Sequence, residues 1–187
     1  SNPLDVIAMA TLQETGFALK RVMGMAGVLD ATRFRYFIAE KLNVWPGDVM
    51  AMVMGGHGDT MVPLPRYTRV NGIPVTELIA PDDLEKLIAR TRTGGGEIVS
   101  LLKQGSAFYA PGASVAKMVE AILKDEKRVV PVSAYLRGEY GYHDMFLGVP
   151  VLLGRNGVEK ILELPLTDDE KTALDASAKA VKDGVDT

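Results

Sequence analysis

Apolar residues recur at spacings of three and four over residues 4–44, at Leu4, Ile7, Ala8 and Leu12 and again at Phe34, Phe37, Ile38 and Leu42. That period predicts amphipathic helix. Glycines at 24 and 27 interrupt the run, so one helix is expected to end there and a second to begin near Asp30, whose carboxylate could cap it. The pattern then shortens. Residues 48–54 read as a buried strand, 55–60 as a tight glycine-rich turn carrying His57, and 61–64 as a short return strand. Asn71-Gly72, between the segments Tyr67–Val70 and Ile73–Val75, is a two-residue hairpin signal.

Helical spacing returns after Pro81 through Leu84, Leu87 and Ile88, meets Gly94, Gly95 and Gly96, where a bend is expected, and continues through Ile98, Leu101 and Leu102. A Pro/Gly-containing stretch at 105–112 precedes a helix at 113–125, with Val115, Met118, Val119, Ile122 and Leu123 on a face expected in the core. Residues 129–136 and 148–153 read as strands, Asn156-Gly157 as a turn and 158–162 as a third strand. Thr167 with Glu170 forms a capping box for a last helix through Val181. Helices flanking antiparallel hairpins, with no βαβ series and no G-x-G-x-x-G, define an α+β class without a nucleotide-binding Rossmann unit. One domain, residues 1–187, is expected.

Composition narrows the function classes. The 187 residues carry 21 basic and 24 acidic side chains, a net charge of -3, which provides no field to gather a polyanion. Nucleic-acid binding is not expected. Apolar stretches such as 6–10 and 49–54 fall far short of the roughly 20 residues of a spanning helix, so no membrane partner is expected either. The absence of cysteine excludes a disulfide framework, a thiolate nucleophile and a Cys-ligated zinc, and fits the cytoplasmic location expected here. His57 with Asp59, or His143 with Asp144, supplies too few ligands for a metal site. The chain opens on Ser1-Asn2-Pro3 rather than Met, which reads as a cut end with a preceding segment expected.

Candidate chemistry rests on Asp30 and Arg33, three apart on one helical face, and on His57 in its turn. Interconverting an alcohol and a carbonyl needs a group that takes and returns a proton near neutral pH, a role suited to histidine. A buried carboxylate on its far nitrogen would fix the tautomer, and a guanidinium would grip a substrate carboxylate through two hydrogen bonds. Spacing alone leaves other readings open: Asp30 and Arg33 as an ordinary salt bridge, Asp30 as a cap, His57 as a structural turn residue, a hydrolase using His57 with a neighbouring acid, or a non-catalytic assembly module. Arg35 reads as a surface or subunit-interface charge, Asp59 and Thr60 as turn-shaping, and His143 as a solvated loop residue.

Four runs carry a resemblance: Ser1-Asn2-Pro3-Leu4-Asp5; Gly27-Val28-Leu29-Asp30-Ala31-Thr32-Arg33-Phe34-Arg35; Gly55-Gly56-His57-Gly58-Asp59-Thr60; and Ser106-Ala107-Phe108-Tyr109-Ala110-Pro111-Gly112-Ala113-Ser114. In order and spacing the chain resembles the C-terminal domain of the lactate/malate dehydrogenases, most closely the malate members of the lactate-like branch. The resemblance implies NAD as cofactor, His57 as proton donor and acceptor, Asp30 as its carboxylate partner and Arg33 as anchor for the substrate carboxylate. It makes Asn2 a contact to substrate and nicotinamide, with a cis Asn2-Pro3 bond, and places His57, Ser106, Ala107 and Pro111 beside the nicotinamide ring. Malate and oxaloacetate are the expected substrates, because lactate members tend to carry threonine at the Ala107 position and an aliphatic residue at the Pro111 position. L-lactate is the alternative. The family's Rossmann domain and mobile lid do not lie within residues 1–187, so the isolated chain is expected to be inactive. A homotetramer, or else a dimer, is the expected assembly.

Overall fold

The computed structural model describes residues 2–185; Ser1, part of the opening motif, lies outside the described residues. Helix α1 spans Leu4–Thr15 and stops at Gly16, which takes a left-handed conformation and donates its N–H to Leu12. The first helix is therefore shorter than its apolar period implied. Helix α2 spans Ala26–Leu42, and Asp30 lies in its second turn, 2% exposed, so it is not the cap. Close packing moves the helix start forward. A Cβ on Gly27 would come within 2.6 Å of the Pro131 carbonyl oxygen, so only glycine lets this turn lie against the neighbouring strand.

The stretch expected as one strand at 48–54 is two short ones, β1 (Val49–Met50) and β2 (Val53–Met54). β2 pairs with β3 (Val62–Pro63) across the His57 turn. β1 pairs instead with β4 (Arg69–Val70), which turns through Asn71-Gly72, both at positive φ, into β5 (Ile73–Pro74). The chain changes partner at Ala51-Met52, and this breaks the strand. The short helix α3 (Val75–Leu78) follows.

Helix α4 (Pro81–Leu102) begins with proline in its first turn and runs unbroken through the glycine triplet, where a bend was expected. Helix α5 (Tyr109–Leu123) starts before residue 113. Its buried stripe is Ser114, Met118 and Ala121, with Ile122 half-buried against the core; Met118 and Ile122 face inward as expected, whereas Val115, Val119 and Leu123 are exposed, contrary to the expectation that they face the core. The phase of the helix decides this, because the two stripes are offset by one residue, about 100° around the axis.

Strands β6 (Arg128–Arg137), β7 (His143–Gly154) and β8 (Gly157–Ile161) form an antiparallel sheet with β7 in the centre, pairing Val132 with Val149 and Ala134 with Leu147. β7 is buried on both sides. Leu147, Val149, Val151 and Leu153 enter the main core with α5 and α6, while Phe146 turns the other way to Ala8 and Met9 of α1. Helix α6 (Asp168–Val185) begins with the expected capping box: Thr167 Oγ1 accepts the Glu170 N–H at 3.2 Å and Glu170 Oε2 accepts the Thr167 N–H at 2.9 Å.

A second core joins Phe34 and Ile38 of α2 to Leu84 and Ile88 of α4 and to Val49 and Val53. Each such side chain contributes roughly 1.5–3 kcal/mol over its exposed state. Val28 of α2 enters the first core and Phe34 the second, so α2 is clamped from both sides. This matters for function, because α2 carries Asp30 and Arg33. The antiparallel architecture agrees with the α+β expectation, and no helix among the described residues is long and apolar enough to cross a membrane.

Candidate active site

The tertiary fold brings Asp30, Arg33 and His57 together. His57 Nδ1 lies 2.9 Å from Asp30 Oδ2, and Arg33 Nη1 lies 3.4 Å from Asp30 Oδ1. The Asp30 side chain is 3% exposed and the His57 and Arg33 side chains 13% each. With Asp30 accepting a proton from Nδ1, the imidazole presents Nε2 as its working nitrogen. Arg33 Nη1 also donates to the Thr91 carbonyl of α4 at 3.2 Å, while Nη2 has no hydrogen-bond partner among the described residues. A Cβ on Gly94 would fall 2.5 Å from Cδ of Arg33, so the first glycine of the triplet makes room for the arginine stem. The glycine expected to bend the helix serves packing instead.

The histidine turn is held from four directions. Gly55 exchanges backbone hydrogen bonds with Gly148 of β7, at 2.8 and 3.1 Å. The Gly56 N–H donates to Ser177 Oγ of α6 at 2.8 Å, and Ser177 Oγ donates to Thr60 Oγ1 at 3.3 Å. The His57 N–H donates to Asp5 Oδ2 of α1 at 3.0 Å, and Ser133 of β6 donates to Asp5 Oδ1 at 2.6 Å. Asp30 of α2 holds the ring. No buried side-chain nitrogen or oxygen lacks a partner among the described residues.

Burial of the imidazole opposes its charge, but the Asp30 hydrogen bond and the charges of Asp30 and Asp5 outweigh burial and the opposing Arg33, so the His57 pKa is raised above its ordinary value. Burial pushes the Asp5 carboxyl above its usual range, although the hydrogen bonds from Ser133 and the His57 backbone pull it down.

The remaining expectations divide. Asn2-Pro3 is cis, as the resemblance implied. Asn2 and Ser106 are exposed and Pro111 is half-buried, and none is hydrogen-bonded to the triad among the described residues. Arg35 is half-buried and donates to the carbonyls of Pro46 and Gly47. His143 is exposed at the start of β7. A cavity of about 170 Å³ lies on the other face of α2, against Val28, Thr32 and Arg35, away from the triad. No group of three or more His, Cys, Asp or Glu side chains suited to a metal occurs among the described residues.

Sequence reasoning passed over Asp5, Ser133, Ser177 and Thr91 as parts of the site. Three of them had a signal: Asp5 shares the helical phase of Ala8, Met9 and Leu12, Ser133 interrupts an apolar strand, and Ser177 sits on the stripe of Leu174, Ala178 and Val181. Each is a polar residue on an apolar face. Thr91 acts through its carbonyl, which residue type does not reveal.

A histidine hydrogen-bonded to a buried carboxylate beside an arginine with free donors combines a group able to exchange a proton near neutral pH with a cation able to hold an anion. The family model for the lactate/malate dehydrogenase alpha/beta C-terminal domain matches residues 27–187, and the chain belongs to that family. It is 58% identical over 183 residues to a malate dehydrogenase of Thermomicrobium roseum and 56% identical over 182 residues to one of Shouchella clausii, covering 98% and 97% of this chain. It spans 59% and 58% of their lengths. Malate dehydrogenase from Salinibacter ruber superimposes with a TM-score of 0.97 at 57% identity, over 99% of this chain and 60% of that one. A lactate dehydrogenase from Eimeria maxima, solved with NADH and oxamate, gives 0.94 at 45% identity, over 98% of this chain and 59% of that one.

Proposed function

We propose that this chain is the substrate-binding and proton-transferring part of an NAD-dependent malate dehydrogenase. The observation that carries the reading is the His57–Asp30 contact at 2.9 Å with Arg33 beside it, in a chain more than half identical to malate dehydrogenases over nearly its whole length.

In oxaloacetate reduction, His57 Nε2 donates its proton to the carbonyl oxygen; in malate oxidation it takes the hydroxyl proton. Asp30 keeps Nδ1 protonated and stabilises the imidazolium. Arg33 uses donors left free by Asp30 and Thr91 to hold the carboxylate next to the reacting carbon. Asn2 orients substrate, and Asn2, His57, Ser106 and Pro111 would border the nicotinamide. The residues present fit only that reactive end of the cofactor, because the strands pair antiparallel and offer no βαβ phosphate cradle among the described residues. When bound, NAD(H) supplies or accepts the hydride.

The small side chain of Ala107 supports a substrate larger than lactate. The likeness to the Eimeria maxima lactate dehydrogenase favours L-lactate as the second reading. Exposed apolar side chains such as Trp45, Leu101 and Leu123 fit a homo-oligomer, tetramer before dimer.

The test is NADH oxidation by a longer protein that contains this chain, with oxaloacetate and pyruvate in parallel and His57→Asn as control. Oxaloacetate is expected to react much faster, and only with His57 present. Faster pyruvate turnover would move the reading to lactate; loss of neither activity in the variant would end it. The isolated chain is expected to show negligible turnover, measured at matched concentration.

A further inference from the structure

Asp5 lies in the first turn of α1 yet is 4% exposed, so its carboxylate does not face solvent as first-turn acids commonly do. Its two oxygens serve different elements. Oδ2 accepts the backbone N–H of His57 at 3.0 Å, and Oδ1 accepts the Ser133 hydroxyl at 2.6 Å. Burial raises the pKa of this carboxyl on balance, and the two donated hydrogen bonds, one on each oxygen, pull against that rise.

We propose that Asp5 is the positioning residue of the His57 acid/base: its carboxylate ties the histidine backbone to α1 and β6, and its charge lies behind the imidazole as a second anion. This rests on the reading of His57 as the proton-transfer group. Asp30 anchors the ring and Asp5 anchors the backbone, so the side-chain torsions between them have little freedom to wander. Asp5 also links His57 to the helix that Asn2-Pro3 leads into, so both groups expected to meet substrate share one frame.

The charged groups facing His57 are Asp30 and Arg33 from α2 and Asp5 from α1; α6 contributes the neutral Ser177 and β7 the backbone of Gly148. Arg33 disfavours the imidazolium and Asp5 favours it. Removing the Asp5 charge therefore lowers the His57 pKa. The imidazolium is the donor in carbonyl reduction, so reduction would be lost first at alkaline pH.

Asp5→Asn separates charge from clamp. Its amide oxygen still accepts the His57 N–H, and the Ser133 hydroxyl can rotate to accept from its NH₂. The chain has two histidines, so NMR titration of their ring resonances resolves His57, with the exposed His143 as internal control. In Asp5→Asn the His57 pKa is expected to fall by roughly half a unit or more, with His143 unmoved. A folded variant with an unshifted His57 overturns the proposal.

If the variant does not fold, the unaltered protein decides. The His57 amide shift must follow two titrations, the lower from the Asp5 carboxyl, and a single step overturns the proposal. Neither readout needs turnover, so both stand or fall separately from the dehydrogenase reading. In a longer, active protein, Asp5→Ala is expected to cut kcat by roughly tenfold or more through misplacement of His57, with a smaller change in KM.

Discussion

The His57 turn and the segment 103–108 are both short connections containing glycine, and the fold treats them oppositely. Gly55 and Gly56 are buried, and the turn is tied to α1, α2, α6 and β7 by hydrogen bonds of 2.8 to 3.1 Å. Segment 103–108 lies mostly in solvent, with Phe108 62% exposed and its ring 4.6 Å from that of Tyr109, the first residue of α5, which is 85% exposed. Leu101 and Leu102 at the end of α4 are exposed beside it. The proposed function accounts for the difference: a proton donor must be held to a fraction of an ångström before substrate arrives, whereas a wall that borders a ligand can leave its apolar side chains outward.

The sharpest break in this comparison is His57→Asn in a longer, active protein. Oxaloacetate reduction is expected to fall by about 10²–10⁴-fold, measured as kcat, because the proton donor is gone while the clamps remain. Leu147→Ala tests the support beneath the turn: Leu147 is fully buried next to Gly148, and its truncation should cost about 2–5 kcal/mol in urea unfolding. Arg33→Lys keeps the charge and removes the fork, so KM for the keto acid should rise by roughly 10–100-fold with a smaller effect on kcat.

A pH series sharpens the contrast further. The folded-state pKa of His57 is raised, so its contribution to stability is complete below its unfolded value near 6.5 and is lost as pH rises through the folded one. Unfolding free energy should fall across that window, and His57→Asn should flatten the slope. The smallest effect belongs to the exposed segment: Leu101, 75% exposed, changed to serine should alter stability by no more than about 0.5 kcal/mol in the same urea assay.

Much of the architecture was legible before any coordinates. Asn71-Gly72, the Thr167–Glu170 capping box and the turn around His57 each depend on neighbours within a few residues, and each formed as read. Asp30 and Arg33 were placed on one helical face by their spacing alone, and the motifs singled them out together with His57, which the fold brings into contact with Asp30. Readings that depended on distant partners failed in a consistent way. Residues 48–54 divided because Met50 pairs with Arg69 and Met54 with Val62. The glycines at 94–96 did not bend α4, since Gly94 accommodates Arg33. Val115, Val119 and Leu123 turned outward because helical period gives the existence of an apolar stripe and not which stripe the core takes.

Sequence by itself therefore determined the class of the domain, the Asn71-Gly72 hairpin, the Thr167–Glu170 capping box and the candidacy of Asp30, Arg33 and His57, because these rest on local conformational preference and on motifs of fixed spacing. Only the tertiary structure decided that Asp5, Ser133 and Ser177 serve the same turn, across separations of 121 residues between Gly56 and Ser177 and 128 between Asp5 and Ser133. Buried polar groups must find partners wherever the chain brings them, and sequence separation carries no record of that meeting.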